Sequence, residues 1–217
     1  MINIYLIRHA ESVGNVNHHL VGGQSNHLPL TARGEEQAHK LGKRLASEGW
    51  RFDAWWSSTA VRTQETAHIV GKQLEEPPIR LQKTPDLLEV SQGEWEGRLR
   101  SECYHADTWA RFDADPLNFK APGGESFLEV QMRMRRWLDK VTENYSEKEE
   151  VKLAAFSHGL AIRCLLIQLL GASPAWARRM VTDNTSITGL QFDGDNWLIE
   201  RINDSAHLAG MEKIAHY

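Results

Sequence analysis

Ile2-Asn3-Ile4-Tyr5-Leu6-Ile7 runs without a break into Arg8-His9-Ala10-Glu11-Ser12. Its β-branched, aromatic and aliphatic side chains, interrupted only by Asn3, read as a buried strand. A second run of the same character, Val151 to Phe156, ends in Ser157-His158-Gly159. Around these two, strand and helix patterns alternate. Thr31 to Ser47 reads as a helix, with Thr31 as N-cap, Gly34-Glu35 in the first turn and Ala38, Leu41 and Leu45 as an apolar stripe. Phe52 to Trp56 reads as a strand, Ala60 to Leu74 as a helix, and Ile79 to Leu81 as a third strand candidate. Glu125 to Asn144 reads as a long helix with Phe127, Val130, Met134, Trp137, Leu138 and Val141 on one side. Leu160 to Leu170 is a very apolar, buried helix. Thr185 to Phe192 and Trp197 to Ile202 flank Asp193-Gly194-Asp195-Asn196, a hairpin turn signal. The alternation predicts a three-layer α/β fold: a mainly parallel central sheet with helices on both faces, and an antiparallel hairpin near its end.

The 217 residues favour one domain, 1–217. Segment Glu94 to Gly124 breaks the alternation. It is rich in Trp, Asp and Arg, ends in Ala121-Pro122-Gly123-Gly124, and reads as a small cap-like insert over the sheet. An apolar fraction of 41% and a charged fraction of 25% sit at the globular norm and exclude a disordered or fibrous chain. The net charge of −4 argues against nucleic acid or an anionic membrane as the main partner. No apolar run approaches the ~18 residues of a membrane helix. The first residues run directly into a strand without a basic leader, so no signal peptide is expected. Cys103 and Cys164 cannot build a disulfide framework and belong to no CxxC pair, so a reducing, cytoplasmic setting is expected.

Open α/β sheets bind ligands outside the carboxyl ends of their strands. The first strand ends in Arg8-His9, and the Val151 to Phe156 strand in Ser157-His158-Gly159. The Phe52 to Trp56 strand leads through Ser57-Ser58-Thr59-Ala60 to Arg62, and the Leu87-Leu88 segment leads to Glu89. Two histidines, two arginines and a carboxylate thus come from four separate strand ends, a frame suited to phosphoryl chemistry. Arginine offers a planar, bidentate fork for a dianion. A neutral imidazole can attack phosphorus and carry the phosphoryl group. A carboxylic acid can protonate the departing alkoxide, and helix N-termini add backbone N–H donors.

Leu6-Ile7-Arg8-His9-Ala10-Glu11-Ser12 with Asn15 resembles the histidine phosphatase superfamily, also called the phosphoglycerate mutase-like family. The resemblance continues through Leu30-Thr31-Ala32-Arg33-Gly34, Glu36-Gln37-Ala38, Ser57-Ser58 and Arg62-Thr63-Gln64-Glu65-Thr66-Ala67. It extends over Leu88-Glu89, Gly93-Glu94-Trp95-Glu96-Gly97, Pro122-Gly123-Gly124-Glu125-Ser126, Ser157-His158-Gly159 and Asn203-Asp204-Ser205-Ala206-His207-Leu208. The resemblance implies that His9 accepts the phosphoryl group and that Arg8, Arg62 and His158 clamp it. Asn15 and Gly159 join as phosphate ligands, and Glu89 acts as acid, then as base for water. Ala10 stands where the family usually has glycine. Gly14 and Gly23 stand where mutase-like members often carry tryptophan.

His18, His19 and His27 suggest a metal site, but adjacent histidines on a helix diverge by about 100°, and no HExxH accompanies them. They read as a solvated loop face. Trp95 and Trp109 are candidates to line a substrate mouth. The leading expectation is a metal-independent phosphomonoesterase, without cofactor, acting on small phosphorylated metabolites. A phosphoglycerate mutase is the alternative. It needs a second anion site, whereas Arg98, Arg100, Arg111 and Lys120 of the insert are cancelled by Glu102, Asp107, Asp113 and Asp115. The Glu-Arg-His-Tyr-Gly type stretch of cofactor-dependent mutases is also missing after Gly97. A non-catalytic phosphate-binding protein and a metallophosphoesterase are readings of other classes. A homodimer is compatible with the sequence.

Overall fold

Residues 1–74 and 80–212 are described by the structure, a computed structural model. Strand β1 (Ile2–Arg8) is followed by a short helix α1 (Val13–Val16) and a long one, α2 (Ala32–Ser47). Then come β2 (Ala54–Ser57), α3 (Val61–Gln73) and β3 (Leu81–Lys83). Segment 94–124 carries α4 (Arg100–Cys103) and α5 (Ala106–Ala114). Helix α6 (Phe127–Tyr145), β4 (Val151–Ser157), α7 (Gly159–Leu170) and the hairpin β5 (Ile187–Phe192) and β6 (Trp197–Asp204) complete the order. The expected third strand begins at Leu81; Ile79 lies outside the described residues.

The sheet order is β3-β2-β4-β1-β5-β6. The pairs β3–β2, β2–β4 and β4–β1 are parallel, and β1–β5 and β5–β6 antiparallel, so the hairpin forms one edge. Every residue of β1 is buried, because both faces of the strand are covered. Ile2, Ile4 and Leu6 pack with Val130, Met134 and Trp137 of α6 and with Ile162 and Leu165 of α7. Tyr5 and Ile7 point to the other face, toward Leu41 and Leu45 of α2 and Ala67 and Val70 of α3. This is the expected three-layer α/β arrangement, and the period-two alternation of β1 divides its side chains between the layers.

Local chemistry sets the helix starts. Thr31 Oγ1 accepts from Gly34 N at 3.0 Å and opens α2. Helix α6 begins two residues later than the apolar pattern suggests, because Ser126 and Glu129 form a reciprocal capping box at 3.2 and 2.7 Å. That leaves Glu125 outside the helix, where its carboxylate meets Arg133.

The insert holds two helices that the sequence pattern does not announce. Its aromatic residues pack on one another: Tyr104 stacks on Trp109 with centroids 4.9 Å apart, and the Arg178 guanidinium lies 3.9 Å from the Trp109 centroid. Phe112 meets Phe127 of α6 edge-on at 5.7 Å. Trp95 and Trp109, expected at a substrate mouth, are half-buried parts of this cluster. The insert also pairs with the loop after α1. Val21 N donates to Arg98 O at 2.8 Å, Gly97 N to Val21 O at 2.9 Å and Arg100 N to His19 O at 2.9 Å. No helix among the described residues is long and apolar enough to cross a membrane.

Candidate active site

The carboxyl ends of β2, β4 and β1 lie side by side, and the candidate side chains sit on the residues just beyond them. His9 is the first residue past β1, and its backbone N–H donates to Ser157 O at 3.0 Å, locking it to the end of β4. His158 succeeds β4 and takes the N-cap position of α7. Arg62 is the second residue of α3, the helix entered from β2. Arg8, His9, Arg62 and His158, named from the sequence as four parts of one site, are all buried.

Their hydrogen bonds fix protonation and direction. His9 Nδ1 lies 2.7 Å from Ala10 O, which can only accept, so Nδ1 carries the proton and Nε2 presents its lone pair. Arg62 Nε–H points at that lone pair from 3.3 Å. Arg62 Nη2 donates to His158 Nδ1 at 3.0 Å, so His158 keeps its proton on Nε2 and gives it to Ser58 Oγ at 2.8 Å. The two imidazoles face each other with ring centroids 5.1 Å apart. Burial, reinforced by the Arg62 charge, holds the His158 pKa well below that of an ordinary histidine. His158 is therefore a neutral hydrogen-bonding group at physiological pH.

The two arginines are buried cations held by backbone carbonyls. Arg62 Nη1 donates to Gln24 O and Ser25 O at 2.9 and 3.1 Å, and Nη2 to Gly23 O at 3.2 Å. Arg8 Nη1 donates to Thr182 O, while its Nε is buried with no acceptor among the described residues. Burial is the main cause that lowers both guanidinium pKa values to about 10, so both stay charged. Gly159 packs beneath Arg8: a Cβ there would stand 3.1 Å from Arg8 Nε.

Glu89 is held beside the start of α7. Its carboxylate accepts from Leu160 N at 3.1 Å, Ala161 N at 2.9 Å and Val90 N at 2.9 Å. Thus the N-terminal amides of α7 at 160 and 161 serve Glu89 as well as the helix dipole. Glu89 also lies within electrostatic reach of Arg8, Arg62 and Arg163. Asn15 sits in α1, where its Oδ1 accepts from Ser12 N at 3.0 Å and closes a capping box. Asn184 bridges it to the His9 backbone, with Nδ2 at 2.9 Å from His9 O and 3.4 Å from Asn15 Oδ1.

Several contributors are absent from the sequence reading of the site. Ser58 orients His158. Asn184 holds the His9 carbonyl. Arg133 of α6 donates to the carbonyls of Asp86, Leu88 and Glu89 at 2.9, 2.7 and 3.0 Å and pairs with Glu125 at 2.9 Å. Glu96 accepts four hydrogen bonds from two loops. Arg133, Asn184 and Glu96 act mainly through backbone groups, which leave no mark in residue spacing. His18, His19 and His27 are exposed, and no group of three or more His, Cys, Asp or Glu among the described residues could hold a metal ion. Cys164 is buried, and burial pushes its thiol far above the ordinary range.

A doubly wound sheet thus gathers two facing histidines and two buried arginines at its carboxyl edge. The family comparison agrees: residues 4–205 match the model of the histidine phosphatase superfamily (branch 1), and the chain belongs to that family. Its members are enzymes, phosphatases or mutases. Among individual relatives, the Yersinia enterocolitica protein named "Probable phosphoglycerate mutase GpmB" is 33% identical over 215 residues, 96% of this chain and 95% of that one. The solved structure of YhfR from Bacillus stearothermophilus superposes with a TM-score of 0.82 at 26% identity, covering 96% of this chain and 100% of the other. The alpha-ribazole phosphatase of Shigella flexneri gives a TM-score of 0.78 at 25% identity, covering 94% and 96%.

Proposed function

We propose that the protein is a metal-independent phosphomonoesterase acting on small phosphorylated metabolites through a phosphohistidine. In this reading His9 Nε2 attacks phosphorus and the P–O bond to the alcohol breaks. Glu89 delivers a proton to the departing oxygen, then takes one from the water that cleaves the phosphohistidine. Arg8 and Arg62 bind the non-bridging oxygens and supply the positive charge that a metal ion supplies in other phosphatases, and neutral His158 joins the clamp through Nδ1 once its proton moves there from Nε2. Asn15 and Gly159 complete the phosphate ligands.

The observation that carries hydrolysis over the mutase reading is the fate of the insert's cations. A mutase must hold a second anionic group of its substrate. Arg100 instead lies over the Tyr104 ring at 5.1 Å and Arg111 over Phe119 at 5.8 Å. Arg98 faces Glu102 at 3.9 Å, and Lys120 pairs with Glu129 at 2.9 Å. Each of the four has a partner within the insert or on α6, which favours a single phosphate over a second anion site.

The test offers the protein a panel of phosphorylated metabolites and, separately, 3-phosphoglycerate with 2,3-bisphosphoglycerate. Free phosphate is the expected product, with acid-labile, base-stable label trapped on His9 by rapid quench and lost in His9→Ala. Fast formation of 2-phosphoglycerate with little free phosphate reverses the reading to the mutase named for the Yersinia relative.

A further inference from the structure

The loop at 23–25 is held on two sides by opposite kinds of group. Its carbonyls, Gly23 O, Gln24 O and Ser25 O, all accept from Arg62. Its amides face the other way. Gln24 N donates to Glu96 Oε1 at 3.0 Å and Ser25 N to Glu96 Oε2 at 2.9 Å. Ser25 Oγ adds a bond to Oε2 at 3.2 Å, and Gln92 N donates to Oε1 at 3.0 Å, anchoring Glu96 in the insert. The amides of 24 and 25 wrap this carboxylate in a turn that leaves the ordinary backbone regions: Gly23 has φ +150° and Ser25 φ +31°. A Cβ on residue 23 would stand 2.4 Å from Glu96 Oε1. The glycine at this position is therefore matched to the carboxylate beside it.

The consequence falls on Arg62. The three carbonyls occupy both Nη1 hydrogens and the outer Nη2 hydrogen. What remains is the Nε/Nη2 edge, turned toward His9 Nε2 and His158 Nδ1. That edge is the one a guanidinium uses for bidentate contact with a phosphoryl group, and it faces the space between the two imidazoles.

We propose that Glu96 is a positioning residue: its carboxylate fixes the 23–25 loop, and through the loop's carbonyls it aims the Arg62 Nε/Nη2 edge at the phosphoryl group. The inference rests on the phosphoryl-transfer reading of the site, but not on the choice between hydrolysis and transfer, because both use the same clamp. Glu96 itself touches no reacting atom. Its hydrogen bonds reach Arg62 only through the loop backbone, and its charge also acts on the guanidinium directly; loss of that charge would by itself tighten an anion, so weaker phosphate binding reports the lost positioning.

The experiment is a double-mutant cycle on inorganic phosphate affinity, measured by titration calorimetry on the full chain. Glu96→Gln keeps the shape but sets an amide NH₂ against a backbone N–H. It is expected to weaken phosphate binding about tenfold, the scale of one misdirected hydrogen bond to a charged group. In an Arg62→Ala background the same substitution is expected to change affinity by less than about twofold, the scale at which independent sites stop coupling. Gly23→Ala, which displaces the loop from its other side with Glu96 intact, is expected to weaken phosphate in the same way and provides the test if Glu96→Gln fails to fold. Phosphate affinity unchanged in either folded variant overturns the inference. So does an equal loss with and without Arg62, which would make Glu96 a general structural support. Failure of the unmodified protein to bind phosphate overturns the site reading, and the inference with it.

Discussion

Replacing His207 with glutamine tests how the end of β6 supports the loop beside His9. His207 Nε2 lies 2.8 Å from Thr185 Oγ1. Thr185 gives its own proton to Asn184 O at 2.6 Å, so it accepts from His207, whose imidazole proton sits on Nε2. Nδ1 is buried with no partner among the described residues. A second proton there would have no acceptor, and burial, reinforced by the Arg44 charge, brings the pKa down to about 4. In the unfolded chain the ordinary value of about 6.5 applies. Between those values the unfolded state binds a proton that the folded state refuses, so stability is full above pH 6.5 and is lost as pH falls toward 4. Integrated from pH 7.5 to pH 5, the loss from this one residue is roughly 2 kcal/mol. Glutamine keeps an N–H donor for Thr185 and does not titrate. Urea unfolding of both proteins across this range should show the stability gap moving by roughly 2 kcal/mol in the variant's favour, whatever its size at neutral pH. A gap that stays constant with pH refutes a neutral, buried His207.

Glu89→Gln should slow phosphorylation of His9 by an alkyl phosphate by about 10²–10⁴-fold and much less with p-nitrophenyl phosphate, whose leaving group needs no proton; equal losses in single-turnover assays would make Glu89 positional. Arg133→Met removes a buried cation that binds three carbonyls and Glu125, and should cost about 3–5 kcal/mol in urea unfolding, with a smaller added cost when Glu125 is also neutralised to Gln. Activity should survive EDTA, and a collapse restored by a divalent ion would move the protein to the metal-dependent class.

The fold and the candidate reacting side chains are legible because both arise from one-dimensional patterns. A six-residue run, Ile2 to Ile7, apolar but for Asn3, makes a strand, and the polar residues directly after it must stand at the sheet edge. That logic places Arg8, His9 and His158 without any knowledge of tertiary contacts. Arg62 is legible for a similar reason, as it opens the helix after β2. The helices of the insert are not legible, since α4 has only four residues and α5 nine, and their aromatic residues pack on each other rather than along a periodic stripe. Arg133 is hidden in another way. It falls inside an amphipathic helix, where a charged residue ordinarily reads as solvated, yet it is 7% exposed and turned under the Glu89 segment. Glu96 and Asn184 bind backbone amides and a carbonyl, and nothing in side-chain spacing encodes which main-chain groups will be near.

The same contacts suit the proposed site to a dianion. Among the described residues neither Arg8 nor Arg62 forms an ion pair; each is buried and held by neutral carbonyls. Burying a cation without a direct ion pair costs free energy even after carbonyl dipoles have satisfied part of its donors, and more distant carboxylates offset only part of it. Glu89 is the carboxylate that raises the pKa of both arginines, and its oxygens are turned to the α7 amides. His158 is kept neutral by the same burial and the same charges, so it adds no third cation to the cluster. In the proposed reaction a phosphoryl group entering between His9 and His158 would meet both guanidinium charges with their donors already aimed. The reorganisation that water would have to undergo around a phosphoryl transition state is thereby built into the fold.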